Sequence, residues 1–240
     1  MKMPVRAAKA ELPSHTLFRL TILLFAVLMC AQSVWLLLAE LSRPSADGLP
    51  AAAAAVKEDE PAAARAAEVG VIRGDLWADS ALTPAMLILD NPDASVDSHH
   101  SQELAVVHAH LDHALSDAPH QAGAWLLLAG LAARFASMNI DATEALKMSY
   151  YTGPSEPNLV PLRLRIAAQV DAFGDVEIDQ LAKRDLRALL AGKQTSAIVD
   201  AYNAASPAGK HFIEQNVSDI DPSALEKLKT KDTQDLALPN

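Results

Sequence analysis

The hydrophobic pattern of the chain begins with one long apolar run, which extends from Leu20 to Ala39 without a charged residue. About twenty apolar residues in a helix span the roughly 30 Å hydrocarbon core of a bilayer. Arg19 stands directly before the run and Trp35 lies near its far end, as is common at membrane interfaces. The pattern therefore predicts one transmembrane helix over residues 20–41.

Two other interpretations of this run are a cleavable signal peptide and a lipoprotein signal. The apolar region of a signal peptide usually spans ~7–15 residues and ends in small residues, whereas this run continues through Trp35 to Leu38 without a convincing cleavage site. A lipoprotein signal would use Cys30, but Met29 is a poor residue before that cysteine and the apolar run continues past it. An uncleaved anchor is therefore favoured.

Charge is distributed unevenly on the two sides of the run. Residues 1–19 carry a net charge of +3, from four basic residues and one acidic residue, namely Lys2, Arg6, Lys9 and Arg19 against Glu11. Since positive flanks stay in the cytoplasm, residues 1–19 are predicted to be a cytoplasmic stub. In a bacterium, which the alanine-rich composition suggests, the anchor then lies in the inner membrane, contacts lipid through residues 20–41, and places the rest in the periplasm.

The remainder of the chain is acidic. The whole chain has a formal charge of −10, so a stub of +3 leaves −13 for everything that follows it. Phosphate backbones are bound by clustered Lys and Arg side chains. No nucleic-acid partner is therefore expected.

Beyond the anchor, residues 42–69 are rich in Pro, Ala and charge and show no apolar period, which predicts a linker with at most a transient helix around Ala62–Glu68. Such a linker could hold a domain some tens of ångströms from the bilayer. Residues 70–230 show helical stripes and are predicted to be the folded domain, while residues 231–240 are predicted to be a flexible tail.

The domain is predicted to be all-α, because strand signals are nearly absent and alanine, the best helix former, is abundant. Thr83 before Pro84 indicates a helix start, as do Ser206 before Pro207 and Asp221 before Pro222. Between Pro119 and Pro154 two helical runs of roughly a dozen residues follow each other, and neither can bury its apolar stripe alone. They are predicted to pack as an antiparallel hairpin.

This hairpin resembles a tetratricopeptide repeat, whose first helix reads W-x2-L-G-x2-Y, whose second reads A-x3-F, and which closes with a proline. The positions that match are Trp125, Leu128 and Ala129 on the first helix, Ala142 and Leu146 on the second, and the closing Pro119 and Pro154. Ala132 stands where the family has tyrosine, and the period is one residue too long. The resemblance covers about one and a half repeats, and an unrelated α-helical bundle is the alternative.

The resemblance implies a scaffold that binds other proteins in a groove lined by the first helices, with no catalysis and no cofactor. The layout of stub, anchor, linker and helical repeats is also similar to bacterial envelope proteins that assist assembly, haem-protein maturation or polysaccharide export. The expected function is therefore a membrane-anchored periplasmic scaffold or adaptor for another envelope protein, and not an enzyme.

Candidate partner-binding residues lie at the end of the predicted hairpin and just after it. Tyr150 and Tyr151 precede the turn, and Arg163 and Arg165 follow it. Tyr and Arg dominate the energetics of protein interfaces, so these four residues are predicted to line the partner groove. The alternative is that the tyrosine rings pack at the junction between hairpins.

Six of the eight histidines fall between His99 and His120, and His110 and His113 are neighbours at i, i+3 on a helix. Neutral imidazoles bind Zn, Cu or Ni, so a periplasmic metal-binding protein is the alternative function. A solvated helix face that carries imidazoles explains the same pattern, and the segment has no H-E-x-x-H motif and no cysteine. Carboxylates at Asp175, Glu177 and Asp179 fit a helix N-terminus.

Overall fold

The structure is a computed structural model that describes residues 14–41, 60–91 and 98–222. All regular structure in these three ranges is helical and none of it is strand, which confirms the all-α prediction. The first part of the predicted stub, residues 42–59 of the predicted linker, the turn after Pro222 and the predicted tail lie outside the described residues.

The described residues form ten α-helices in chain order: α1 (Ser14–Leu41), α2 (Glu60–Gly70), α3 (Gly74–Asp90), α4 (Ser98–Asp117), α5 (Ala122–Arg134), α6 (Ala142–Thr152), α7 (Val160–Val170), α8 (Val176–Ala191), α9 (Thr195–Ala204) and α10 (Pro207–Ile220). Single 3-10 turns connect several of them. Pro207 occupies the first turn of α10, and the hydroxyl of Ser206 accepts a hydrogen bond from the Gly209 amide at 3.0 Å. The predicted cap at Ser206 is therefore confirmed.

Helix α1 contains the predicted membrane segment and begins six residues before Leu20. Its 28 residues extend over about 42 Å at a rise of 1.5 Å per residue. Most of its side chains are exposed, and it is long and apolar enough to cross a membrane. The exceptions to this exposure lie near its C-terminal end, where Ala39 is buried.

Helix α2 corrects the predicted linker, because residues 60–69 belong to a helix that packs against its neighbours. Ala63, Ala66 and Ala67 are buried, and the last two share a small cluster with Ala39 of α1 and Leu76 of α3. Alanine side chains allow two helices to approach closely. They are only weakly hydrophobic, so buried alanines do not stand out as an apolar stripe in an alanine-rich sequence. The described domain therefore begins next to the end of α1.

Helix α3 corrects the predicted start at Thr83 and Pro84, because it is one continuous helix with Pro84 inside it. Pro84 cannot donate to the carbonyl of Ser80, so one intrahelical hydrogen bond is missing at this point. The helix nevertheless continues because it is buried on both sides of the proline, at Ala81 and Ala85 among others. Tertiary packing outweighs the local stop signal.

Helices α3 to α6 form two successive antiparallel hairpins. The start of α3 at Gly74 lies against Ala114 and Ala118 at the end of α4, and the end of α6 at Gly153 lies against Ala122 at the start of α5. Helices α3, α5, α7 and α9 also contact one another in that order, so that they form a row across the domain. Fully buried leucine and isoleucine side chains of the core include Leu111, Leu126, Leu127, Leu131, Leu146, Leu164, Ile166, Ile178 and Leu186.

Candidate functional site

The hairpin of α5 and α6 places the residues of the predicted motif at its interface. Leu128, Ala129, Ala142 and Leu146 are buried between the helices and their neighbours. Trp125 is partly buried, and its indole N–H donates to the carbonyl of Pro119 at 2.8 Å. The indole thereby fixes the turn that enters the hairpin. Pro154 follows α6 on the surface.

Two of the four predicted partner-binding residues do not lie on the surface. Tyr150 is 2% exposed and Arg163 is 0% exposed, and the guanidinium carbon of Arg163 lies 4.8 Å from the centre of the Tyr150 ring. The prediction that these two side chains line a groove is corrected by this burial. The alternative prediction, that a tyrosine ring packs at the junction of hairpins, describes Tyr150.

Arg163 is held by a serine of the neighbouring helix. Its Nε donates to Oγ of Ser149 at 3.0 Å, and its Nη2 donates to the backbone carbonyl of the same residue. Ser149 is itself fully buried, on the face of α6 that also carries the buried Ala142 and Leu146. A small side chain on α6 therefore leaves the space into which an arginine of α7 extends.

Asp185 of α8 completes a buried polar cluster with Arg163 and Tyr150, and it was not predicted. Its carboxylate is 2% exposed, and Nε of Arg184 lies 3.7 Å from Oδ1. Burial raises the pKa of Asp185 and lowers the pKa of Arg163. Burial, together with the nearby Asp185 charge, also raises the pKa of Tyr150. The sequence offered one signal of this burial. Asp185 stands seven residues after Ile178, about two helical turns, and therefore lies on the same buried face of α8.

The cluster is incompletely hydrogen-bonded by the part of the chain that the structure describes. Three buried atoms have no hydrogen-bond partner there, namely Nη1 of Arg163, Oδ2 of Asp185 and the hydroxyl of Tyr150. Buried charges are stable only when paired. Hydrogen bonds from Arg163 to Ser149 therefore join α7 to α6, while Asp185 of α8 interacts with Arg163 through charge attraction. The arrangement gives the cluster a structural role.

Tyr151, the third predicted residue, is exposed and contacts the start of α8. Its hydroxyl donates to Oε2 of Glu177 at 2.8 Å, and this hydrogen bond raises the pKa of Tyr151. One turn earlier on α6, the ammonium group of Lys147 lies 2.6 Å from Oδ2 of Asp175. Asp175 also caps α8 by accepting from the amide of Glu177 at 2.9 Å. The acidic cluster thus serves a helix N-terminus, as the sequence indicated.

Arg165, the fourth predicted residue, lies on a different face from Tyr151. Its Nη1 donates to Oδ1 of Asp90 at 2.6 Å, and its Nη2 donates to the carbonyl of Leu89 at 3.3 Å. Nη1 of Arg134 donates to the carbonyls of Ile88 at 2.8 Å and Leu89 at 3.0 Å. The two arginines therefore satisfy the last carbonyls of α3, whose helix dipole favours positive charge.

A cleft of about 350 Å³ opens beside Arg165 on the row of helices α3, α7 and α9. Its lining combines apolar side chains with one cation and one anion, and includes Met86, Pro161, Leu162, Arg165, Ser196, Ala197 and Asp200. We call it the Arg165 cleft. A second cleft on the other side of Arg165 reaches α5 at Gly130 and Arg134. Apolar clefts with a few polar groups are the usual form of a binding site.

The histidine segment lies on α4 and packs against Trp77 of α3. The ring of His113 stacks on Trp77 with centres 4.7 Å apart, and the ring of His110 meets it edge-on at 5.2 Å. Nδ1 of His110 lies 3.0 Å from Oγ of Ser80, and burial lowers the pKa of His110. Within residues 14–41, 60–91 and 98–222, no group of three or more His, Cys, Asp or Glu side chains could hold a metal ion.

The side chains of His99 and His100 lie outside the described residues, so metal binding by the whole histidine segment stays a prediction. For His110 and His113, the contacts with Trp77 and Ser80 account for their positions as packing residues between α3 and α4.

The described residues therefore belong to an all-α protein, with the apolar helix α1 followed by packed helical hairpins. No protein family, no characterised protein and no solved structure matches this chain. Its function is therefore inferred from the helices and the Arg165 cleft themselves.

Proposed function

We propose that this protein is a single-pass inner-membrane protein whose helical domain lies in the periplasm and binds another envelope protein. The observation that carries the proposal is the Arg165 cleft, which opens on the row of helices α3, α7 and α9 in a domain that packs against an apolar helix. The proposed activity is binding, with no catalytic step.

Contacts between α1 and the domain support an anchor that is retained. The indole N–H of Trp35 donates to the carbonyl of Val69 at 2.7 Å, and Arg73 forms an ion pair with Glu40 at 2.9 Å. Cleavage anywhere before Trp35 would leave Trp35 in place, but cleavage after the apolar run would remove both contacts. A helix that contributes to the fold of the domain is better suited to an anchor than to a signal peptide.

The hairpin geometry supports the tetratricopeptide-like interpretation of the domain. In repeats of this type the first helices of successive hairpins contact one another and line the binding groove. Here α3, α5, α7 and α9 hold those places, and both clefts beside Arg165 lie on them. We therefore propose that a segment of the partner protein binds along this row, with Arg165 at its centre.

The partner segment is expected to be apolar with at least one charged side chain. Met86, Pro161 and Leu162 offer apolar contacts, while Arg165 and Asp200 provide opposite charges at separate points of the cleft. Amphipathic helices and extended segments both satisfy such grooves through a few apolar anchors and complementary charge.

The membrane orientation can be tested with reporters on the full chain. Alkaline phosphatase fused after Asn240 should be active in a bacterial host, and green fluorescent protein fused at the same position through the general export route should stay dark. The reporters exchange their behaviour when moved to the N-terminus. Fluorescence from the C-terminal fusion would reverse the proposed topology.

The partner site can be tested by photo-crosslinking in the native membrane. A photoreactive amino acid at Ser196, which is exposed and lines the Arg165 cleft, should give a discrete adduct with a second protein. Asp200→Lys should reduce its yield about tenfold, which corresponds to ~1.4 kcal/mol, because it reverses the charge of the one acidic side chain among the described residues that line the cleft.

The matched control is Asp219→Lys, which makes the same change at an exposed position of α10 outside the cleft. The control should leave the adduct unchanged. Equal loss in both variants would indicate a general charge effect, and an adduct unaffected by Asp200→Lys would remove the cleft from the proposal.

A further inference from the structure

The turn between α2 and α3 exposes two apolar β-branched side chains. Val71 is 54% exposed and Ile72 is 68% exposed, although hydrogen bonds hold the turn to α1 and α3. Arg73 closes this turn by donating its backbone N–H to the carbonyl of Gly70 at 2.9 Å. We call Val71 and Ile72 the apolar tip.

Three hydrogen bonds fix the apolar tip beside the C-terminal end of α1. Trp35 of α1 donates to the carbonyl of Val69 just before the tip, and Arg73 just after it donates to Glu40 of α1. On the domain side, the indole N–H of Trp77 donates to the carbonyl of Val71 at 3.0 Å. The tip therefore lies between the levels of residues 35 and 40, which are about 7.5 Å apart along a helix.

This level is the boundary of the apolar run. Residues 35–38 are Trp-Leu-Leu-Leu, the last apolar residues of α1, and Glu40 is the first charged residue after them. Tryptophan is enriched where hydrocarbon meets headgroups. Helix α2 therefore runs toward this boundary, and α3 runs away from it, with the apolar tip at the lowest point of their hairpin.

The backbone of the tip adds a second, independent observation. Val71 has φ of +23°, in the region that glycine and asparagine adopt most readily. A β-branched residue is costly there, and such local strain is concentrated at functional positions. Since Val71 is also exposed, burial within the described domain does not explain the choice of an apolar side chain.

We propose that the apolar tip inserts into the lipid interface of the leaflet at which α1 ends, so that the domain rests against the membrane. The proposal rests on the proposed function, because it requires α1 to span the bilayer. The ion pairs of Arg73 with Glu40 at 2.9 Å and with Asp75 at 2.6 Å then lie at the level of the headgroups. The tip and α1 form two attachments to one membrane surface.

The test uses the full chain in phospholipid nanodiscs, with Cys30→Ser as the background and one cysteine at a time labelled with a polarity-sensitive fluorophore. Ile72→Cys and Val71→Cys report on the tip, and Val27→Cys reports on the middle of the apolar run. Val176→Cys is the matched control, because Val176 is a valine at the start of α8 with 72% exposure. Quenching is measured with nitroxide lipids of two depths and with aqueous iodide.

Nitroxide near the headgroup should quench a fluorophore at either tip position at least about twice as strongly as it quenches one at Val176→Cys. The fluorophore at the tip should also be protected from iodide. Val27→Cys should be quenched by nitroxide deep in the acyl chain. If Val27→Cys behaves in this way while Ile72→Cys behaves like Val176→Cys, the tip proposal is overturned and the anchor stands.

If Val27→Cys is quenched by iodide and not by lipid, the anchor itself fails, and the tip proposal with it. Val71→Cys changes a strained position, so Ile72→Cys alone decides the outcome if the other variant does not fold.

Discussion

Replacing Arg163 with methionine should lower the free energy of unfolding by roughly 3–5 kcal/mol, the usual effect of leaving a buried charge without a nearby opposite charge. Arg163 is 0% exposed and Asp185 is 2% exposed, so the carboxylate would remain buried without the attraction of the buried guanidinium. Arg184 lies 3.7 Å from Oδ1 of Asp185 and offers partial compensation. The loss should therefore fall near the lower end of the range.

The measurement is thermal unfolding of the full chain in detergent, followed by circular dichroism. For a domain of this size about 2–4 °C is lost per kcal/mol, so a loss of roughly 3 kcal/mol lowers the melting temperature by about 6–12 °C. Arg187→Met is the matched control, because Arg187 is exposed on α8. A fall of the same size in the control would contradict the assignment to burial.

A double variant separates the charge pair from simple packing. Arg163→Met combined with Asp185→Leu removes both buried charges, so that much of the lost stability should return. If the double variant were as unstable as the sum of the two single variants, the two side chains would act independently. The substitutions would then lower stability through lost packing and not through lost charge attraction.

The helices of the domain were predictable because their apolar positions repeat at helical spacing. The hairpin around Trp125 is an example: Leu128 and Leu146 were expected at its interface and are buried there. Helix caps were equally predictable from the sequence. The side chains of Asp175 and Ser206 accept amide hydrogen bonds at the starts of α8 and α10.

The burial of Arg163 was not predictable from local pattern. Arg163 and Arg165 are two residues apart, so they point about 200° away from each other on α7. Helix α7 packs against α5, α6, α8, α9 and α10, so several of its faces are covered. An arginine is normally placed on the surface by its charge alone, and only the buried partner Asp185, twenty-two positions further on, reverses that expectation.

Helix α2 was expected only as a transient helix in a linker, for a different reason. Its buried residues Ala63, Ala66 and Ala67 carry one methyl group each, so the stripe hardly differs in hydrophobicity from an alanine-rich linker. Its stability depends on contacts with α1 and α3, from which it is separated along the chain by residues 42–59 and by the turn at Val71. Pro84 is the opposite case. A proline normally ends or kinks a helix, but α3 continues through Pro84 because tertiary contacts stabilise it.

In the proposed membrane-anchored arrangement, these contacts change how the domain relates to α1. A flexible linker from Ser42 to Glu68 would allow the domain to move away from the bilayer, whereas the return of α2 to Ala39 holds it at the end of α1. The Arg165 cleft would then be presented at a limited distance from the membrane. A partner anchored in the same membrane gains effective concentration from such a restricted geometry.

Replacing Gly209 with alanine should destabilise the domain by about 1–3 kcal/mol or more, the range observed for overpacking. A methyl group at this position would lie 2.9 Å from the carbonyl carbon and Cα of Ala168, and closer still to its carbonyl oxygen. These are backbone atoms of α7, which cannot rotate away as the end of a side chain can. The same carbonyl accepts a hydrogen bond from the amide of Ser206 at 2.9 Å, so displacement of α10 would also weaken its start.

Gly123→Ala is the matched control, because a methyl group at Gly123 on α5 meets nothing within 4 Å. Both substitutions improve helix propensity and reduce the entropy of the unfolded chain by similar amounts, so Gly123→Ala alone should stabilise the protein by roughly 0.4–1 kcal/mol. Thermal unfolding of the two variants should therefore shift in opposite directions. Shifts of the same sign would show that α10 does not approach the backbone of α7 as closely as its contact with Ala168 requires.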